Sequence, residues 1–150
     1  MTKAAQTNFG SEVWMAPAGD PLVMVAELIS LQPPADTRDT IDVTTHDSET
    51  DANGGVPMEF IGEPVYDPGD FTFKVNYIMN STGDQMILAA LGDPIPWDMK
   101  LVGKSDVGQR QLAGSGIVTS YAPDDQPIKG VRTATIKVKR SGVWVQGPVT

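Results

Sequence analysis

Cysteine is absent from the 150 residues. That excludes a disulfide framework, a thiolate zinc centre and a thiol nucleophile, and it suits a reducing compartment. Histidine occurs once, as His46. Basic residues are scarce, eleven Lys and Arg against nineteen Asp and Glu, for a formal charge of −8. An acidic surface argues against specific nucleic-acid binding, which needs clustered cations to neutralise phosphate; the one basic cluster, Lys137-Val138-Lys139-Arg140, is short. No apolar run approaches the roughly 20 residues of a membrane helix. Met1 to Asn8 lack the apolar core and cleavage site of a signal peptide, so the expectation is a soluble, unprocessed chain with no membrane partner.

What is present is unevenly distributed. Residues 1–70 carry 13 of the acids and only Lys3 and Arg38 as bases, while residues 71–150 hold nine bases and six acids. Such polarity suits a subunit that packs unlike surfaces against copies of itself, and it equally suits an acidic protein with solvated charges. At this length one domain, residues 1–150, is large enough to bury about two-thirds of the surface of its unfolded chain.

Period-2 patterning predicts a mainly β chain. Residues 1–19 read as an N-terminal arm, within which Val13-Trp14-Met15 is an arm segment or a short strand. Leu22 to Gln32 is apolar on both faces, as a strand covered on both sides would be, and Pro33-Pro34 ends it. Thr40 to Thr45 alternates as a half-buried strand. Residues 46–57 contain almost nothing to pack and predict a mobile acidic loop. Phe71, Phe73, Val75 and Tyr77 share one face of the best-patterned strand. A helix over 81–92 follows, with two overlapping N-cap arrangements in Ser81-Thr82-Gly83-Asp84-Gln85, Gln85 standing three residues beyond Thr82 as in a capping box, and Gly92 at its C′ position. Ile95 to Val102, Gln109 to Tyr121 and Val131 to Lys139 are further strands, Val143-Trp144-Val145 a last short one, and residues 146–150 a tail. Gly114 and Gly116, inside a strand-like run, indicate a bulge or a close backbone approach. The expected core includes Ile41, Val43, Phe60, Phe71, Phe73, Val75, Tyr77, Leu88 and Leu91.

Catalytic chemistry finds little support. His46 with Asp42 and Asp47 is the one constellation that resembles a site, and it offers neither the three or four ligands of a zinc centre nor a shaped cleft. Asp47, Glu49 and Asp51 alternate but lack the spacing of a calcium loop. Ser115 has no Gly-x-Ser-x-Gly context, and the nearby glycines precede no phosphate-binding lysine. The reading is no enzyme, no catalytic residue, no metal and no cofactor. Trp14 and Trp144 are candidate interface anchors; for Trp97 core and interface roles are equally open.

One composite stretch carries more information. It consists of Asp39-Thr40-Ile41-Asp42-Val43-Thr44, then Glu59-Phe60-Ile61-Gly62 after the loop, then Gly69-Asp70-Phe71-Thr72-Phe73 leading into Asn76-Tyr77 and a capped helix. This pattern resembles the tail tube proteins of long, non-contractile phage tails and the related gene transfer agents, over roughly residues 20–91. The resemblance implies a β-sandwich or barrel of two packed antiparallel sheets with one flanking helix and a long β-hairpin loop. It implies hexameric rings stacked into a hollow tube that conducts double-stranded DNA from capsid to host cell. The implied partners are further copies of the chain and the tape measure, distal tail and tail terminator proteins; the implied location is the virion tail, assembled in the host bacterial cytoplasm. Inter-ring and inter-subunit contacts would fall to Phe9, Trp14, His46, Asp47, Glu49, Asp51 and Trp144. Two alternatives stay open: a soluble β-sandwich binding or decoration module, and a related tail terminator or secretion-tube subunit.

Overall fold

The computed structural model describes residues 10–103, 110–126 and 128–148. Nine strands and one helix follow in the order β1 (Glu12–Ala16), β2 (Val23–Met24), β3 (Leu28–Gln32), β4 (Thr40–Asp42), β5 (Phe60–Gly62), β6 (Asp70–Asn76), α1 (Thr82–Leu91), β7 (Trp97–Val102), β8 (Arg110–Pro123) and β9 (Thr133–Pro148). Seven of them form one antiparallel sheet in the order β2-β1-β7-β8-β9-β6-β3, and β4 and β5 pair apart from it. The expected pair of packed sheets is therefore one curled sheet and a separate two-stranded ribbon.

The curl follows from the chain path at the two edges. β2 finishes one edge against β1, with Trp14 opposite Met24, and β3 finishes the other against β6, with Leu31 opposite Phe73. Met24 and Leu28 are four residues apart, so the edges lie within about 14 Å of each other. Residues between them bond to both sides: the Val25 N–H donates to Val13 O at 2.8 Å, and the Asn76 N–H donates to Glu27 O at 3.2 Å. Glu27 turns the corner with φ +58°. Leu22–Gln32 is thus two short strands joined by a bend, and Val23, Met24 and Ile29 are about half exposed rather than covered.

The core lies on the inner face of the curl. Phe71 stands opposite Val138, Phe73 opposite Ile136 and Val75 opposite Ala134, and all six are buried. These directly opposed pairs are the unit by which a sheet is stabilised, and burial of each large side chain contributes about 1.5–3 kcal/mol. Val13, Met15, Met99 and Leu101 extend the cluster across β1 and β7. Trp97 is also core, with its indole N–H donating to Asp93 at 3.0 Å. Tyr77 is half-buried, edge-on to Tyr121 at 6.0 Å.

Helix α1 closes the inner face by packing against β8. Ser81 is its N-cap and accepts from the Asp84 N–H at 3.2 Å, while Asp84 accepts from the Asn80 N–H at 3.0 Å. The cap is therefore one residue earlier than the Thr82/Gln85 arrangement. Gly92 stays right-handed at φ −78° instead of adopting a left-handed C′ turn. The buried residues are Ile87 and Ala90, not Leu88 and Leu91, which are 51% and 39% exposed. Apolar residues lie on both sides of this helix, and the Tyr121 hydroxyl, donating to Asp84 at 2.6 Å, selects which side faces inward. Burial first, and the Asp84 carboxylate second, push the Tyr121 phenol well above its ordinary range.

β8 and β9 are longer than their patterning indicates. Val143-Trp144-Val145 is not a separate strand, and Gln146 to Pro148 are not a tail; both belong to β9, with Gln146 opposite Leu112. Register slips on β8 between Ala113 and Ser115. Gly114 sits at that slip under Trp144, where a Cβ would come within 2.6 Å of the indole, so both the bulge and the close approach occur together. β1 likewise is a strand between β2 and β7 rather than a free arm.

Replacing Phe73 with Ala should cost about 3–5 kcal/mol through lost burial and a residual cavity. Urea unfolding measures this directly; an unchanged midpoint would show that Phe73 contributes nothing to the core.

Candidate interaction surface

The β4–β5 ribbon is the part of the chain that the body leaves uncovered. Thr40, Ile41 and Asp42 pair with Gly62, Ile61 and Phe60, and every one of these residues is exposed. The pairing extends outward through the Val43 N–H to Glu59 O at 2.8 Å and inward to the bridge between Thr37 and Asp67. Ile41 and Phe60, expected in the core, are instead 38% and 52% exposed, and Val43 is half-buried. Met58 and Ile61 are more than half exposed as well. The alternation here reports strand geometry without a core beneath it. Exposed apolar side chains grouped in this way are the usual character of an interaction surface.

The loop at the ribbon's end is organised by its own polar groups. Asp51 Oδ1 accepts from the Asn53 and Gly55 N–H groups, each at 2.9 Å, and the Asp51 N–H donates to Gly55 O at 2.7 Å. The Ser48 hydroxyl meets Glu59 at 3.2 Å, and the Glu59 N–H donates to the Thr44 hydroxyl at 2.7 Å. Within residues 46–57, local hydrogen bonds close turns at 45–48 and 51–55. His46, Asp47, Glu49 and Asp51 are all exposed on it. Asp42 accepts from the Thr44 N–H at 2.9 Å, and that bond holds its carboxyl below the usual range. Among the described residues no three His, Asp or Glu side chains are grouped to share a metal ion.

Where the ribbon leaves the sheet, its position is set by two cations from β9. Arg140 is a buried charged residue, 5% exposed. Its guanidinium donates to Asp36 and to the Pro68 carbonyl, the latter through Nε at 2.7 Å, and lies 5.3 Å from the centre of the Trp144 ring. Lys139 donates to Asp67 at 2.8 Å and lies 3.4 Å from Asp70. The Lys139 hydrogen bond, followed by the Gly69 N–H, holds the Asp67 carboxyl below its ordinary value, and the same bond raises Lys139. Gly69 is required here: its φ is +78°, and a Cβ would run into the Ala35 carbonyl oxygen. Farther out, Arg38 donates to Glu63 O at 2.9 Å and stacks over Tyr66 at 5.1 Å.

The remaining expected contact residues lie elsewhere. Trp144 does not project from a free terminus: its indole N–H donates to Ser115 O at 2.8 Å, and its ring meets Phe71 edge-on at 5.8 Å. Trp14 is half-buried in β1, donating to Glu12 at 3.0 Å with Lys100 at 4.6 Å over its ring. Phe9 lies outside the described residues. Sequence reasoning missed Arg140, which looked like one member of a solvated basic cluster; its position next to the Ser141-Gly142 break was the available signal.

Comparison of the whole fold supplies the context. No protein-family model matches the sequence, and no curated protein is similar to it in sequence. Solved structures are similar over nearly the full length. One is a chain from the tail of an empty gene transfer agent particle with C6 symmetry, at TM-score 0.72 and 16% identity, covering 94% of this chain and 98% of that one. A second is a chain from the baseplate of the anti-feeding prophage, at TM-score 0.71 and 10% identity, covering 100% and 99%. A third is the SPP1 tail tube, at TM-score 0.57 and 9% identity, covering 94% and 78%. The chain has the fold of these tail proteins.

Two outcomes test the account of the ribbon's base. Gly69→Ala should destabilise the chain by about 1–3 kcal/mol, since it imposes a positive φ on a residue with a Cβ, as read from thermal or urea unfolding. Because Asp67 has a lowered folded pKa, its contribution is complete above the unfolded carboxylate range and disappears as pH falls through the folded value. Amide protection factors, which correct for the intrinsic pH dependence of exchange, should therefore stay high at residues 37–39 and 63–67 at neutral pH and fall below about pH 4, and Lys139→Met should remove most of that dependence. Equal protection factors at both pH values in the unaltered chain would eliminate this ion pair as the latch.

Proposed function

We propose that this chain is the repeating structural subunit of a tail tube. In this reading it forms hexameric rings that stack into a hollow conduit for double-stranded DNA. The observation that carries the proposal is the full-length likeness in fold to tail proteins, coupled with an apolar ribbon that the chain's own body leaves uncovered. A ribbon with Ile41, Phe60 and Ile61 exposed is costly for a solitary protein and is satisfied by burial against a neighbour.

The physical chemistry of a tube supports the same conclusion. A curled sheet still ends in strands with unpaired groups on their outer sides, and assembly into a closed ring satisfies such edges without open-ended aggregation. The gene transfer agent tail has C6 symmetry, which supports six subunits per ring here. The acidic balance of −8 favours a bore that repels phosphate, so that DNA slides instead of binding at every ring. Under this proposal the chain belongs to a virion tail, assembles in a reducing bacterial cytoplasm, and meets tape measure, distal tail and terminator proteins along or at the ends of the tube. The chain acts by shape and contact, with no reaction to catalyse.

Purified protein examined by negative-stain electron microscopy at rising concentration, with light scattering in parallel, should show rings or hollow tubes of uniform width. A persistent monomer that also fails to add to tubes seeded with sheared tails would overturn the proposal in favour of a binding module.

A further inference from the structure

The strands place two chemically different surfaces at opposite ends of the molecule. β6 begins at Asp70, immediately after the ribbon, with Lys139 as its neighbour on β9. It ends at Asn76, opposite Thr133, which follows the β8–β9 connection. Six residue steps separate these ends, about 20 Å along the strand. The acidic ribbon is thus rooted on one rim of the sheet, and the β8–β9 connection lies on the other.

The ribbon end is acidic and apolar. Seven carboxylates lie from Asp39 to Glu63, and they form no ion pair among the described residues. Beside them Met58, Phe60 and Ile61 are more than half exposed. The opposite rim carries both signs, with Asp124 paired to Lys74 and Asp125 exposed, and its remaining positive charge is confined to residues 128–132. Ile128 is fully exposed and Val131 is 69% exposed, and Lys129 and Arg132 are exposed in the same segment. Several other bases of the C-terminal half are engaged within the chain: Lys74 with Asp124, Lys139 with Asp67, Arg140 with Asp36, and Lys100 over Trp14. Lys129 and Arg132 are thus cations set directly beside exposed apolar side chains.

We infer that the acidic ribbon of one subunit docks on the Ile128-Lys129-Gly130-Val131-Arg132 segment of a second copy, so that the two rims meet head to tail. This rests on the tube proposal and specifies which surfaces join successive rings. A head-to-tail contact uses two different patches of one subunit, so each subunit that adds leaves an unused patch of each kind and growth continues. Ribbons repel one another through like charge, which enforces polarity: ribbon meets the 128–132 segment, never ribbon. The apolar side chains on both surfaces provide the burial, and the charges set orientation and encounter rate.

Charge exchange tests this pairing. Asp47→Lys with Glu49→Lys should abolish tube growth, and so should Lys129→Glu with Arg132→Glu, while each variant keeps the unaltered melting temperature because the four side chains are exposed. All four substitutions together should restore growth to within a few-fold of the unaltered rate. Because the chain contains no cysteine, Glu49→Cys and Lys129→Cys in one chain supply a second readout. Mild oxidation of the assembled protein should give a ladder of covalent oligomers, and either cysteine alone should not. Tubes from both charge-reversed variants, or tubes of the two-cysteine chain without a ladder, would overturn the pairing while leaving the tube reading intact. Absence of tubes and seeding from the unaltered chain would overturn the tube reading itself, and the pairing with it.

Discussion

A guanidinium removed from water has to be satisfied by protein, and the placement of the functional surface depends on how Arg140 meets that requirement. Its donors have only the Pro68 carbonyl and the Asp36 carboxylate within reach on the ribbon side, and its flat face lies against Trp144 on the sheet side. Asp36 is itself 62% exposed, so what organises the ribbon's base is the buried guanidinium, which needs these acceptors in place of water. The two strands of the ribbon's base, the Trp144 indole and the bulge over Gly114 are therefore parts of one arrangement. Lys139, the preceding residue on β9, points to the opposite side of the strand and secures Asp67 and Asp70 there.

This anchoring explains how an exposed ribbon can be a defined structure. Two-stranded hairpins are marginal in water on their own. Here the base is held by β9, the mid-section by the ladder from Thr40 to Asp42, and the tip by the Asp51 turns and the Thr44–Glu59 bonds. The result is a projection with its own network of hydrogen bonds along its length. The body beneath it is organised around the β6–β9 pairs and shares the buried Arg140 with the ribbon's base. The buried core and the exposed apolar ribbon are in this way built from different residues.

The separation also accounts for where patterning was informative and where it was not. Phe71, Phe73 and Val75 alternate with Thr72, Lys74 and Asn76, and the first three are buried. Ile41 alternates just as clearly with Thr40 and Asp42 and is exposed, because alternation is a property of the pleat and does not depend on what covers it. Helix α1 has apolar residues on two faces, so its buried side was decided by Tyr121 and Asp84, 37 residues apart in sequence. The long loop 46–57 lacks apolar residues, and its turns close instead through Asx-type bonds within a few residues.

The amino-acid sequence by itself determined the strand-rich class, the position of α1 to within one residue at its cap, the ends imposed by Pro33-Pro34, and the acidic, cysteine-free character that excludes thiol and zinc-thiolate chemistry. These are local properties: dihedral preference, side-chain period and charge are carried by neighbouring residues and need no distant partner. Only the tertiary structure decided that the two sheet edges are joined through Glu27, that Trp144 belongs to the body, that the β4–β5 ribbon stands uncovered, and that Arg140 is its buried anchor. Each depends on residues brought together from far apart in the chain, as Asp36 is with Arg140 and Glu27 with Asn76. Burial is a property of the assembled surface, and no single segment contains it.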